Sequence, residues 1–85
     1  MVDSAVVTLY GRPGCHLCDE ARAGLEALRR DGFEFTLREV DIESDPELHR
    51  RLLERIPVVE VDGARVSELS FDADRVRLRL DTFPA

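Results

Sequence analysis

The chain predicts a small α/β domain in the order β-α-β-α-β-β-α, with a four-stranded mixed sheet flanked by helices. Three observations carry this. Between Ala5 and Pro57, short β-branched runs alternate with stretches of helical apolar periodicity, the pattern of strands joined by crossover helices. An Asp62-Gly63 dipeptide between two valine-rich runs then signals a closing hairpin. The length, 85 residues, suits a single domain, residues 1–85, with a thin core.

Ala5-Val6-Val7-Thr8-Leu9-Tyr10 has no polar face, which suits a central strand covered on both sides. Gly11 to Gly14 break it. A helix is expected over residues 15–30, because Leu17, Ala21, Leu25 and Leu28 recur on one helical face. Asp31-Gly32 stops it, glycine being suited to the left-handed residue after a helix. Phe33-Glu34-Phe35-Thr36-Leu37 alternates as a strand. The apolar phase then shifts to Val40 and Ile42, so a bulge or a change of covered face is expected there. Strand, helix and strand make a βαβ unit, whose strands should run parallel with a right-handed crossover.

Ser44-Asp45-Pro46-Glu47 starts a second helix in one of two ways. Either Ser44 and Glu47 form a capping box, or Asp45 caps and Pro46 comes first in the helix. Leu48, Leu52, Leu53 and Ile56 supply its apolar face, Glu47 is spaced to pair with Arg51, and Pro57 ends it. Residues 58–61 and 64–66 form the hairpin, with a type I′ turn at Asp62-Gly63. Residues 72–82 read two ways: Val76, Leu78 and Leu80 alternate like a strand, whereas Ala73, Val76, Leu80 and Phe83 fit a helix. A cap at Asp72 or Asp74 favours the helix.

The net charge of −6 disfavours nucleic acid or an anionic membrane as partner. No apolar run reaches the ~18–20 residues that span a bilayer. The N-terminal residues lack a positive n-region, so no signal peptide is visible and a cytoplasmic location is expected. All twelve basic residues are arginine, which excludes lysine chemistry such as Schiff bases or a phosphate-binding P-loop. The acidic series Glu39, Asp41, Glu43, Asp45 and Glu47 reads first as solvated surface and otherwise as a field that repels anionic substrates.

Both cysteines lie in Gly11-Arg12-Pro13-Gly14-Cys15-His16-Leu17-Cys18, at the junction of the first strand and first helix. Attack on a disulfide needs a thiolate, and a free thiol with pKa near ~8.5 is mostly protonated at neutral pH. A helix N-terminus carries partial positive charge and unpaired N–H groups, so Cys15 should ionise more readily there. Cys18, one turn along on the same side, would be the resolving thiol. His16 either favours the thiolate as an imidazolium or simply faces solvent. Arg12 either adds positive potential and binds a substrate carboxylate or is a solvated loop residue. Other readings of the pair remain. One is a structural disulfide, which so short a loop would make worth only ~2 kcal/mol. Another is a metal site, for which the remaining candidate ligand His49 has no partner at ligand spacing. A cluster shared between two subunits is a third.

The segment Thr8-Leu9-Tyr10-Gly11-Arg12-Pro13-Gly14-Cys15-His16-Leu17-Cys18-Asp19-Glu20-Ala21 resembles the active-site segment of glutaredoxins, most closely the small bacterial glutaredoxin-like proteins with Cys-His-Leu-Cys. Ile56-Pro57-Val58-Val59 resembles the proline loop of the thioredoxin superfamily. The likeness implies a thioredoxin-like fold and a thiol-disulfide oxidoreductase without bound metal or prosthetic group. It implies Cys15 as nucleophile, Cys18 as resolving thiol, Pro57 as a cis proline packed against the thiols, and the Ile56 backbone as the group that pairs with bound peptide or glutathione. The expected partners are protein or small-molecule disulfides, glutathione is a candidate co-substrate, and a monomer is expected. One departure stands out. The glycine pair that commonly helps hold glutathione is absent from Ser67-Glu68-Leu69-Ser70-Phe71-Asp72, where Asp72 either keeps the family's acidic position or only caps a helix. A non-catalytic thioredoxin-fold binding module is the alternative from another class.

Overall fold

The structure is a computed structural model that describes residues 5–81. Its elements are β1 (Ala5–Gly11), α1 (His16–Arg30), β2 (Phe35–Asp41), a 3-10 turn (Ile42–Ser44), α2 (Pro46–Leu52), β3 (Val58–Val61), β4 (Ala64–Glu68) and α3 (Ala73–Asp81). The sheet order is β2-β1-β3-β4. β1 and β2 are parallel, from Ala5 opposite Phe35 to Gly11 opposite Asp41, whereas β3 is antiparallel to both β1 and β4. This is the mixed four-stranded sheet, flanked by helices, of a thioredoxin-like fold.

Central β1 has no polar face, Thr8 being buried with its apolar neighbours, because both of its faces are covered. Ala5, Val7 and Leu9 join Val59 and Val61 of β3 under Ala21, Leu25 and Leu28 of α1 and Val76 of α3. On the other face Tyr10, Ile42, Val58 and Ile56 pack with Leu48 and Leu52 of α2. Fully buried side chains such as Leu25 and Ile42 each contribute about 1.5–3 kcal/mol relative to exposure. Among the described residues, no helix is long and apolar enough to cross a membrane.

Several expectations shift. β2 begins at Phe35 rather than Phe33 and keeps its register with β1 through Asp41, so no bulge interrupts it. The phase shift is a change of face: Phe35 belongs to the α1 side, whereas Ile42 belongs to the α2 side. The sheet's register irregularity lies instead between Val59 and Glu60. α2 is capped by Asp45, whose carboxylate accepts from the Glu47 N–H at 2.8 Å, with Pro46 first in the helix. Ser44 does not form the capping box; its hydroxyl donates to the Asp41 carbonyl at 2.6 Å. Glu47 pairs with Arg50 rather than Arg51. α2 ends at Leu52, short of Pro57; Leu53 keeps helical dihedrals and donates its N–H to the His49 carbonyl at 3.0 Å, but its side chain is exposed. Asp62 and Gly63 have φ of 51° and 86°, as a type I′ turn requires. The last segment is a helix, capped by Asp72, whose carboxylate accepts from the Arg75 N–H at 3.1 Å. Its Val76 is buried, whereas Leu78 is exposed; Thr82 and Phe83 lie outside the described residues.

Candidate active site

Sheet register brings four chain segments to one end of the molecule. Gly11 lies opposite Asp41, Tyr10 opposite Val58, and Val58 opposite Glu68. The loops that continue from these positions therefore meet: Arg12 to Cys15, the turn after β2, Ile56-Pro57 before β3, and Leu69 to Asp72 after β4.

Cys15 is the N-cap of α1, in extended conformation, and its Sγ accepts from the Cys18 N–H at 3.2 Å. Oxygen side chains usually fill this position. A sulfur here receives both the helix-end donor and the positive end of the macrodipole, so negative charge on Cys15 Sγ is stabilised. Cys15 is partly exposed, whereas Cys18 is only 2% exposed. The two are joined in a disulfide with a Cα–Cα separation of 5.2 Å, inside the range that a strain-free bridge needs.

Each further residue expected at the site has a definite place. Arg12 faces Glu43 across 3.8 Å, both side chains about half exposed. His16 projects into solvent, its Nε2 placed 2.8 Å from Glu20 one turn along. The Ile56–Pro57 bond is cis and Pro57 is buried. Half-buried Ile56 donates its N–H to the Leu52 carbonyl at 3.1 Å, so that N–H is already engaged within the chain. Asp72 serves as the α3 cap. Leu17, expected on the buried face of α1, is 46% exposed. Cys18 takes the buried place in its stead.

A groove of about 250 Å³ opens beside the buried sulfur, lined in part by Leu9, Pro13, Cys18 and Glu39. Arg22 spans it, 2.6 Å from Glu39 and 3.0 Å from Asp19. Hydrogen bonds to Glu39 and then Asp19 hold its guanidinium charged to higher pH than usual. At the end of β1, burial and then the Glu60 carboxylate raise the Tyr10 pKa above its ordinary value; the hydroxyl lies 3.3 Å from Glu60.

Sequence reasoning missed three features here. Gly11 closes over the thiols, for a Cβ on it would lie 2.9 Å from Cys18 Sγ. Leu69 is 52% exposed and holds a φ of 72°, a conformation that side chains disfavour. Glu20 and Glu43 partner His16 and Arg12; only the spacing of His16 and Glu20 could have been read from the sequence. Among the described residues, no group of three or more His, Cys, Asp or Glu is placed to hold a metal ion. His49 belongs to α2, on the face of the sheet opposite α1.

Known structures share this fold. Protein Ne2328 of Nitrosomonas europaea, solved by NMR, superposes with a TM-score of 0.79 at 28% identity, over 93% of this chain and 94% of its own. The crystal structure of target protein XcR50 from X. campestris gives 0.71 at 38% identity, over 92% and 99%. A thioredoxin mutant from Halobacterium salinarum gives 0.67 at 17% identity, over 98% and 77%, and at that distance shows the fold alone. No protein of curated function matches. The model of the glutaredoxin-like domain (DUF836) matches residues 6–81, and the chain belongs to that family.

Proposed function

We propose that the domain is a thiol-disulfide oxidoreductase in which Cys15 is the nucleophile and Cys18 the resolving thiol. The observation that carries this is the asymmetry of the pair: a partly exposed sulfur that caps α1, and a buried sulfur one turn behind it.

In the dithiol form, the Cys15 thiolate attacks a substrate disulfide, R–S–S–R′. A bond forms between Cys15 Sγ and the R sulfur, and R′S⁻ leaves and takes up a proton. Cys18 then loses its proton and attacks Cys15 Sγ, which releases RS⁻ to be protonated in turn. The sum is one dithiol and one disulfide giving one disulfide and two thiols, a two-electron exchange. An external thiol reductant returns the domain to its dithiol form. Ile56-Pro57 leads into β3 at the end of the sheet where α1 begins, and in this reading a substrate chain lies in extended form along that loop.

The test is release of a chromogenic thiol from an aryl disulfide with dithiothreitol as reductant. The wild-type domain should raise the rate above background, and Cys15→Ser should return it to background. Undiminished turnover by Cys15→Ser, or none by the wild type, would overturn the assignment.

A further inference from the structure

The surroundings of Cys15 bear on which disulfides it would meet. Two leucines stand out at this end of the sheet. Leu17 lies between the two cysteines on the first turn of α1 and is 46% exposed. Leu69 begins the loop after β4, is 52% exposed and holds φ at 72°. Glycine would adopt that conformation without strain, so a large apolar side chain is kept where the backbone disfavours one, as at ligand clamps. The Leu69 N–H donates to the Arg55 carbonyl at 2.9 Å, which fixes Leu69 beside the residue that precedes Ile56-Pro57. Leu17 and Leu69 thus stand at the sulfurs and at the proline loop respectively.

The charges at this end point the same way. Glutathione carries two carboxylates, which need cationic partners. Of the arginines at this end, Arg12 faces Glu43, Arg55 faces Glu68 and Arg22 lies between Asp19 and Glu39, whereas Arg38 and Arg51 act on Tyr10. In a chain of net charge −6 this leaves an anionic ligand opposed rather than drawn in.

We propose that the thiol pair acts on disulfides within non-acidic polypeptide segments that carry an apolar side chain beside the cysteine, in preference to the mixed disulfide of glutathione. Leu17 and Leu69 receive the apolar side chain, and the exchange is the two-electron step given above with the polypeptide disulfide as oxidant. The proposal rests on the oxidoreductase reading.

Its test compares three probes that share one chromogenic leaving thiol. The first joins that thiol to a neutral peptide with leucine next to its cysteine. The second replaces that leucine by aspartate, and the third is glutathione. The reduced wild-type domain should react with the leucine peptide about tenfold faster than with the other two, since burying apolar area and avoiding like charge both favour it. Leu69→Gly, which suits the backbone at that position, should lower the ratio of leucine-peptide to glutathione rates by about fivefold, the effect of losing cover over half a leucine. Leu17→Ser should do the same. Equal rates on the three probes, a faster rate on glutathione, or an unchanged ratio in both variants would overturn the proposal. Absence of release from all three, or full release by Cys15→Ser, would instead overturn the oxidoreductase reading beneath it.

Discussion

Gly11 lies close against Cys18, and this sets a quantitative expectation for Gly11→Ala. The added Cβ would lie 2.9 Å from Cys18 Sγ and 3.1 Å from Cys18 Cβ. Contacts of this kind settle at about 3.5–4.0 Å, so Cys18 must retreat by roughly half an ångström or more. Its neighbours leave little room, since Cys18 is buried and lies beside the end of β1. Overpacking of this sort costs about 1–3 kcal/mol. The cost should differ between redox forms. In the disulfide the sulfur is tethered to Cys15, whereas in the dithiol it can rotate away. If the difference is ~1 kcal/mol, the disulfide of the variant is less stable by that amount and its potential rises by about 20 mV. Urea unfolding of the oxidised and reduced forms, with equilibration in glutathione redox buffers, closes the cycle. The oxidised variant should lose about 2 kcal/mol, which lowers its Tm by roughly 10 °C in a domain of this size. A loss below about 0.5 kcal/mol, inside the range of an ordinary surface change, would refute the packing argument, as would a fall in potential.

Three further outcomes are expected. Tyr10 is the only tyrosine, so tyrosinate absorbance reports it alone. Its folded pKa is raised by burial and then by Glu60. The stability it contributes is therefore fully present below the unfolded pKa and lost as pH climbs through the folded one. The folded chain should titrate at higher pH than the urea-unfolded chain, and Glu60→Gln should narrow the gap; equal midpoints would contradict this. Asp72→Ala removes the α3 cap and should cost about 0.5–2 kcal/mol in urea unfolding, with most of the loss recovered by Asp72→Asn. A Cβ at Gly24 would overlap the Phe71 ring, so Gly24→Ala should cost about 1–3 kcal/mol. The effect should shrink in a Phe71→Leu background, as double-mutant cycles detect for residues in contact.

Much of this architecture is written in local chemistry. A first strand with no polar face, the glycine break and the helix start that follows place two sulfurs at a helix N-terminus from sequence alone, and Asp62-Gly63 announces its hairpin. Other particulars escaped reading. Leu17 has the spacing of a core residue, but Cys18, at the other edge of the same helical face, takes the buried place. Leu53 directly follows buried Leu52, a step of about 100° around the helix that turns it off the buried face. The cap of α2 was legible only as a choice, since Ser44 and Asp45 can both satisfy helix-end donors, and Pro46 fits the first position only when Asp45 takes it. The positive φ of Leu69 has no sequence signal, because glycine or asparagine is what that conformation ordinarily selects. Composition and spacing do not show that the Ile56–Pro57 bond is cis; there the family resemblance supplied the expectation.

The central claim is that an accessible sulfur at the start of α1 begins the exchange and a buried one completes it. Trapping tests it most directly. The Cys18→Ser variant, reduced and mixed with a disulfide substrate, should accumulate a mixed disulfide that peptide mass analysis places on Cys15, whereas the wild-type domain passes on to its internal disulfide. An adduct that forms as readily on Cys18 in the reciprocal Cys15→Ser variant, or no adduct on Cys15 at all, would contradict the account.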